Sequence, residues 1–226
     1  RRPSRASDLF AFKANFGESE LAPGLLPVLA FAGGYGGMVI ADNAKLTLAC
    51  CIRRDIQQQC RACMPGTRAG EAVQAYLEES CLGVRQALRG ARREGAWLSV
   101  GPIRPGIRSP WRGEGAFSIG NAAGEAHPIL GEGISMAIQS AWLLCERLIA
   151  HRQQLMAGRA QSLVGRDYAQ SWHKSFAPRI RMAAVLAHLA MRPSAAGVLL
   201  PLLHRCPRIL TTSARLGGKV RRIMEA

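Results

Sequence analysis

The sequence predicts a mixed α/β fold of α+β character: an antiparallel sheet with inserted helices, then a strand, loop and helix segment, then a helical C-terminal tail. Three observations predict it. Residues 8–16 alternate apolar and polar side chains, the period of a half-buried strand. Short apolar runs follow, punctuated by a glycine cluster and an Asp-Asn turn, which is the spacing of hairpins. From Ile134 onward the apolar period becomes that of helices.

Taken in order, residues 8–16 form the first expected strand, and residues 26–31, 37–41 and 45–53 the next three. Gly33-Gly34-Tyr35-Gly36-Gly37 and Asp42-Asn43 are expected to be the turns between them, with a meander as the simplest topology. Residues 67–93 carry a helical period through Ala72, Ala75, Tyr76, Leu82, Val84 and Leu88, and residues 97–103 return to strand. Pro102, Pro105 and Pro110 interrupt the chain before residues 116–119, a short apolar run expected to be a buried strand feeding a loop. The next helix is the most strongly patterned element. Ile134, Ala137, Ile138, Ala141, Leu144, Cys145 and Leu148 recur at helical spacing behind Gly131-Glu132-Gly133, which stands at the helix entrance. Beyond it, Tyr168, Trp172 and Phe176 are spaced four apart and predict a helix-packing stripe, while Pro178, Pro193, Pro201 and Pro207 divide the tail.

The 226 residues are 48% hydrophobic and 20% charged, ordinary globular composition with enough apolar mass for one large or two small domains. Their apolar runs fall short of the roughly 20 residues of a membrane span. The basic start, Arg1-Arg2-Pro3-Ser4-Arg5, leads into Asp8 rather than an apolar signal core, so secretion is unsupported. The sequence starts without Met, which fits a chain that begins partway through a longer protein. Net charge is +15 and the pI about 10.7. The arginines spread along the chain and their densest run, Arg85 to Arg93, has no aromatic interleaving, which argues against nucleic-acid binding and leaves contact of the basic C-terminal third with an anionic membrane as an expectation. Seven cysteines without a secretory context favour a reducing cytoplasmic compartment. Cys60-Arg61-Ala62-Cys63 has metal-knuckle spacing, but no second pair completes a site, and no metal is expected.

The chemistry is concentrated in Gly120-Asn121-Ala122-Ala123-Gly124-Glu125-Ala126-His127-Pro128-Ile129-Leu130-Gly131-Glu132-Gly133-Ile134. Small residues permit close backbone approach, a proline fixes a turn, and two glycines open a long helix whose first N–H groups lack intrahelical partners. Such a helix start favours an electron-rich or anionic group. This run resembles the second flavin motif of the aromatic-hydroxylase and geranylgeranyl-reductase superfamily, Gly-Asp-Ala-Ala followed by Pro-x-x-Gly-x-Gly.

The resemblance implies the C-terminal part of an FAD-binding fold, in which the acidic residue bonds the ribitol, the proline lies beside the isoalloxazine and the Gly-x-Gly amides face its pyrimidine edge. Carried over, the cofactor-binding residues are Gly120, Asn121, Ala122, Ala123, Gly124, Pro128, Gly131, Glu132 through its backbone, Gly133 and Ile134. Asn121 departs from the family's Asp, keeping an acceptor oxygen but surrendering the charge-assisted part of the bond. Leu9-Phe10-Ala11-Phe12-Lys13-Ala14, Gly33-Gly34-Tyr35-Gly36-Gly37-Met38-Val39 and residues 101–108 also resemble the family, especially its bacterial reductase-like members. The implied organisation is a substrate-domain sheet over residues 1–108, a flavin-binding segment over 109–152 and a helical tail over 153–226. The implied activity is hydroxylation with O2 or reduction of a double bond in a small organic molecule, with FAD as cofactor and NAD(P)H as an admissible reductant. The Gly-Gly-Tyr-Gly-Gly stretch stands where tryptophan halogenases of the superfamily carry Trp-x-Trp-x-Ile-Pro, which disfavours halogenation.

No Gly-x-Gly-x-x-Gly follows a strand, and residues 131–136 fail that pattern at the last position, so an N-terminal Rossmann βαβ unit is missing from the sequence. The chain alone is expected to hold FAD poorly, and a truncated, non-enzymatic packing or partner-binding domain of the same fold is the competing expectation. Lys13, Tyr35 and Arg104 are the substrate-side candidates, with edge-strand solvation the bland alternative for the two cations. His127 is expected to be structural, and Glu125 and Glu132 to be solvent-facing carboxylates at the helix start. No catalytic residue is assigned.

Overall fold

The structure is a computed structural model, which describes residues 3–113, 116–156 and 161–192, together with Ser194, Gly197 and Arg205. The chain divides into two compact units, one of residues 1–104 with 188–200, the other of residues 105–187 with 201–226. The expected membrane-contacting segment, residues 192–226, lies almost wholly outside the described residues, as do Pro193, Pro201 and Pro207.

The first unit is built on a five-stranded sheet of β1 (Leu9–Gly17), β2 (Val28–Phe31), β3 (Gly34–Ile40), β4 (Leu46–Arg53) and β5 (Arg92–Ile103), in the order β2-β3-β4-β1-β5. Every pairing is antiparallel, so the mixed fold with an antiparallel sheet is as expected. The topology is more than a meander, because β1 lies between β4 and β5. Alternation decides the faces. Phe12, Ala14 and Phe16 of β1 join Leu46, Leu48, Cys50 and Ile52 of β4 and Met38 of β3 in one core. Helices α1 (Arg54–Cys63), α2 (Ala69–Ser80) and α3 (Leu82–Ala87) contribute Cys60, Ala72, Val73, Leu77, Val84 and Ala87 to that core.

Three expectations fail here for local reasons. The glycine cluster is not a turn: Gly34, Gly36 and Gly37 lie within β3, where a Cβ on Gly36 would come within 2.5 Å of the Ala49 carbonyl oxygen, so glycine permits the strands' close approach. Helix α1 falls in a stretch with no expected element, because its polar sequence offers little more than Ile56 and Cys60 as an apolar face. The helical period ascribed to residues 67–93 resolves into α2 and α3 and then stops, since Arg92 already pairs with Gly17 as the start of β5.

The second unit has a two-stranded ladder of β6 (Gly106–Ile107) and β7 (Gly124–Glu125), then α4 (Gly133–Ala150), α5 (Arg152–Met156) and α6 (Gln161–Ala190), the last containing Pro178. Residues 116–119 form no strand; among the described residues their ladder contact is a single bridge between Phe117 and Trp111. Tyr168, Trp172 and Phe176 are buried as their spacing predicts, and pack with Ala123, Met136 and Ile180. Among the described residues no helix is long and apolar enough to cross a membrane, and no group of three or more potential ligands could hold a metal ion.

Candidate functional site

The loop between β6 and α4 places the residues of the glycine-rich motif in sequence along one turn. Gly120, Asn121 and Ala122 form a 3-10 turn, and the Gly120 N–H donates to the Ser140 hydroxyl at 2.9 Å, which ties the turn to α4. Arg108 braces it from the other side. Its backbone N–H donates to the Ala123 carbonyl at 2.9 Å, its guanidinium donates to the Asn121 carbonyl, and it pairs with Glu125 at 3.0 Å. Glu125 is thus a partner of Arg108 rather than a free carboxylate facing water. Ala123 and Gly124 are buried, and a Cβ on Gly124 would meet the Trp172 ring at 2.5 Å, so the loop backbone lies directly on that indole. The Asn121 side chain is exposed.

Pro128 opens a second 3-10 turn that closes at Gly131, whose left-handed φ of 63° favours glycine and whose N–H donates to the Pro128 carbonyl at 2.9 Å. Glu132 is the N-cap of α4, and among the described residues no side chain caps the helix. Gly133, Ile134 and Ser135, the first three helical residues, are exposed, and the first ladder bond at this end runs from the Met136 N–H to the Glu132 carbonyl. A Cβ added at Gly131 or Gly133 would meet nothing within 4 Å. The start of α4 is therefore an open surface of backbone donors at the positive end of an 18-residue helix.

The Glu132 side chain corrects the expectation that it faces solvent. It is 3% exposed, and Arg179 of α6 donates to one of its oxygens through Nε at 3.1 Å and Nη2 at 2.8 Å. Arg179 also donates to Gln139 at 2.8 Å and stacks over Phe176. One motif residue thus turns its side chain inward while its backbone stays at the helix start. Arg179 lies 47 positions away on another helix, so local pattern gave no means of pairing the two. Arg108 and Ser140 were likewise missed as supports of the turn, although Arg108 lies in a stretch that resembles the family. His127 is buried, and that burial pushes its imidazole down to about 4, so it is neutral at pH 7.

Lys13 and Tyr35 belong to the first unit and share the sheet face turned away from its core. Register places Lys13 in one row with Leu98, Ala49, Gly37 and Val28, and Tyr35 in the next with Cys51, Ala11 and Val100. Lys13, Val28, Leu98 and Val100 are exposed there, whereas Tyr35 is buried and bonds the Cys51 thiol. Arg104 is committed elsewhere, since both its Nε and Nη2 donate to the Asp8 carboxylate at 3.1 and 2.8 Å. Those bonds, with the Arg5 N–H, hold Asp8 below the usual carboxylate range, so Arg104 serves as an internal partner rather than the substrate clamp expected of it.

No protein-family model matches the chain, and no curated protein does. Solved structures do. The flavin-dependent brominase Bmp2 matches with a TM-score of 0.69 at 17% identity over 95% of this chain and 51% of its own. The flavin-dependent halogenase CmlS matches at 0.59 and 16% over 80% of this chain and 31% of its own. PqsL of Pseudomonas aeruginosa, described as a probable FAD-dependent monooxygenase, matches at 0.56 and 21% over 88% of this chain and 52% of its own. The chain has part of the fold shared by these flavin-dependent halogenases and monooxygenases. It spans about half the length of Bmp2 and PqsL.

Proposed function

We propose that residues 1–226 are the substrate-domain and flavin-ring half of an FAD-dependent oxidoreductase that hydroxylates a small organic molecule with O2 or reduces a double bond in it. The observation that carries this is the start of α4, uncapped and exposed behind a proline and a left-handed glycine, in a chain with this fold. The residues fit the electron-rich edge of a flavin ring. The amides of Gly133, Ile134 and Ser135 would hold that edge, Gly131 and Gly133 leave open space before it, Pro128 would lie beside the ring, and Asn121 would bond the ribitol. A flavin bound there supplies two-electron redox chemistry, with NAD(P)H as the candidate reductant.

The protein's own part is to bind, orient and exclude water. The open sheet face suits an apolar or aromatic substrate: Val28, Leu98 and Val100 offer apolar surface, Gly37 and Ala49 leave a shallow row between them, and Lys13 supplies one cation for a polar substituent. Halogenation stays with the neighbours named for it, whose 16–17% identity carries the fold alone. All strand pairings among the described residues are antiparallel, so these residues do not grip a dinucleotide pyrophosphate in a parallel βαβ crevice.

The test is to purify the product of the complete reading frame that contains these residues. A flavoenzyme is yellow, with the visible bands of an oxidised flavin, or becomes so on adding FAD. A folded, colourless product that takes up no FAD defeats the proposal and favours a non-enzymatic packing or partner-binding domain of the same fold.

A further inference from the structure

The first turn of α4 is tied down at both ends, and a single residue of α6 makes both ties. Arg179 donates to one Glu132 carboxylate oxygen through Nε at 3.1 Å and Nη2 at 2.8 Å, and to the Gln139 side-chain oxygen through Nη1 at 2.8 Å. A guanidinium only donates, so the Gln139 amide must turn its oxygen to Arg179 and its nitrogen away. That nitrogen donates to the Ser135 hydroxyl at 2.8 Å. Glu132, Arg179, Gln139 and Ser135 thus form one chain of bonds that brackets the turn from the N-cap to the third helical residue. Phe176 steadies the guanidinium, with its ring centre 5.6 Å from Cζ. Stability alone is a poor reason for such a pair. Glu132 and Arg179 are both buried, and the cost of taking two charges out of water is barely offset by their attraction, so an apolar pair of similar volume often folds as well. What the ion pair adds is direction, and a charge on each side that cancels the other.

We propose that Arg179 is a positioning residue: by holding Glu132 and Gln139 it fixes the turn that carries the Gly133, Ile134 and Ser135 amides, and with Glu132 it sets the charge behind them. The charge role rests on the flavin reading above, while the holding of the turn does not. A turn fixed in advance keeps three donors aimed at one edge before any ligand arrives, which lowers the ordering cost of binding. Reduction places negative charge on the pyrimidine edge of a flavin, so the charge behind the amides weighs on how readily a flavin there is reduced. With the pair intact, that edge meets the helix dipole alone. With the charge of Glu132 removed, Arg179 leaves an uncompensated buried cation beside the same turn, which favours the reduced ring. With both charges removed, the balance returns to neutral.

The test uses the product of the complete reading frame. Glu132→Gln keeps the size of the side chain and an acceptor oxygen for Arg179 but removes the negative charge. Glu132→Gln combined with Arg179→Gln removes both charges and the guanidinium's ties. The bond from the Met136 N–H to the Glu132 carbonyl opens the helix ladder, and in the double variant without FAD the Met136 amide is expected to exchange about tenfold faster than in the wild type. With FAD bound, the reduction potential is expected to rise in Glu132→Gln and to fall back toward the wild-type value in the double variant. A pair that only supports the fold would move the potential further in the double variant, where more contacts are lost. That result overturns the inference, as does a potential unchanged in Glu132→Gln or a Met136 exchange rate unchanged in the double variant. If the double variant does not fold, Gln139→Ala cuts the tie to Ser135 and leaves the buried pair whole. FAD binding about threefold weaker at an unchanged reduction potential is then expected, and an unchanged affinity overturns the inference. A wild-type product that folds but takes up no FAD removes the flavin reading, and Met136 exchange alone then decides whether Arg179 holds the turn.

Discussion

Asn121 occupies the position where the resembling family carries Asp, and its exposed side chain has room for either. A charged acceptor makes a bond about twice as strong as a neutral one, a difference of about 1 kcal/mol. Asn121→Asp in the complete product is therefore expected to tighten FAD binding about fivefold; an unchanged or weaker affinity in a fluorescence-quenching titration removes the ribitol role from this residue. Glu132 answers to a different force. Its 3%-exposed carboxylate and the 9%-exposed Arg179 side chain neutralise each other, and one carboxylate oxygen of Glu132 has no hydrogen-bond partner among the described residues. Removing one member of such a pair strands the other, so Glu132→Ala is expected to destabilise the fold by about 3–5 kcal/mol in urea unfolding. A loss under about 1 kcal/mol would mean the pair is solvated in solution. His127 gives a pH signature. Its pKa falls from 6.5 to about 4 on burial, so the unfolded chain takes up a proton first as pH drops. Its contribution is complete above about pH 6.5 and is lost between there and pH 4, at up to about 1.4 kcal/mol per pH unit. The urea midpoint should fall across that window, and His127→Gln should flatten the slope; an identical slope in the variant contradicts the burial.

At the scale of elements, the sequence is most legible where a single period governs. The alternation of residues 8–16 became β1, the helical period behind Gly133 became α4, and the Tyr168, Trp172 and Phe176 stripe became the buried side of α6. It is least legible where a partner distant in sequence decides. The apolar residues of α4 divide between two faces: Met136, Ser140, Leu143 and Leu144 pack beside α6, and Ile134 and Ile138 stay exposed. Nothing within the helix distinguishes the two. Helix α1 was hidden by polarity, and β5 begins five residues before its first expected residue because Arg92, Arg93 and Glu94 belong to an edge strand that alternation in burial does not mark. The loop that leads to α4 is held by packing as much as by hydrogen bonds. A Gly124→Val side chain would enter the Trp172 ring, so that variant is expected to lose about 1–3 kcal/mol through overpacking. An unchanged urea midpoint would show that the loop does not rest on the indole.

The chain divides into two units, each with its own group of candidate residues. The unit of residues 105–187 and 201–226 holds the motif turn and the exposed start of α4; the unit of residues 1–104 and 188–200 holds the sheet face on which Lys13 is exposed and Tyr35 is buried. The sequence placed the motif residues on one loop before a helix, as found, but could not foresee that Arg104 is taken by Asp8 or that Glu132 is taken by Arg179. Hydrogen exchange of residues 131–136 in the complete product, with and without saturating FAD, tests most directly whether the bare amides of α4 receive a flavin. Slowed exchange at Gly133, Ile134 and Ser135 on adding FAD is the predicted result. Exchange there that FAD leaves unchanged would contradict it.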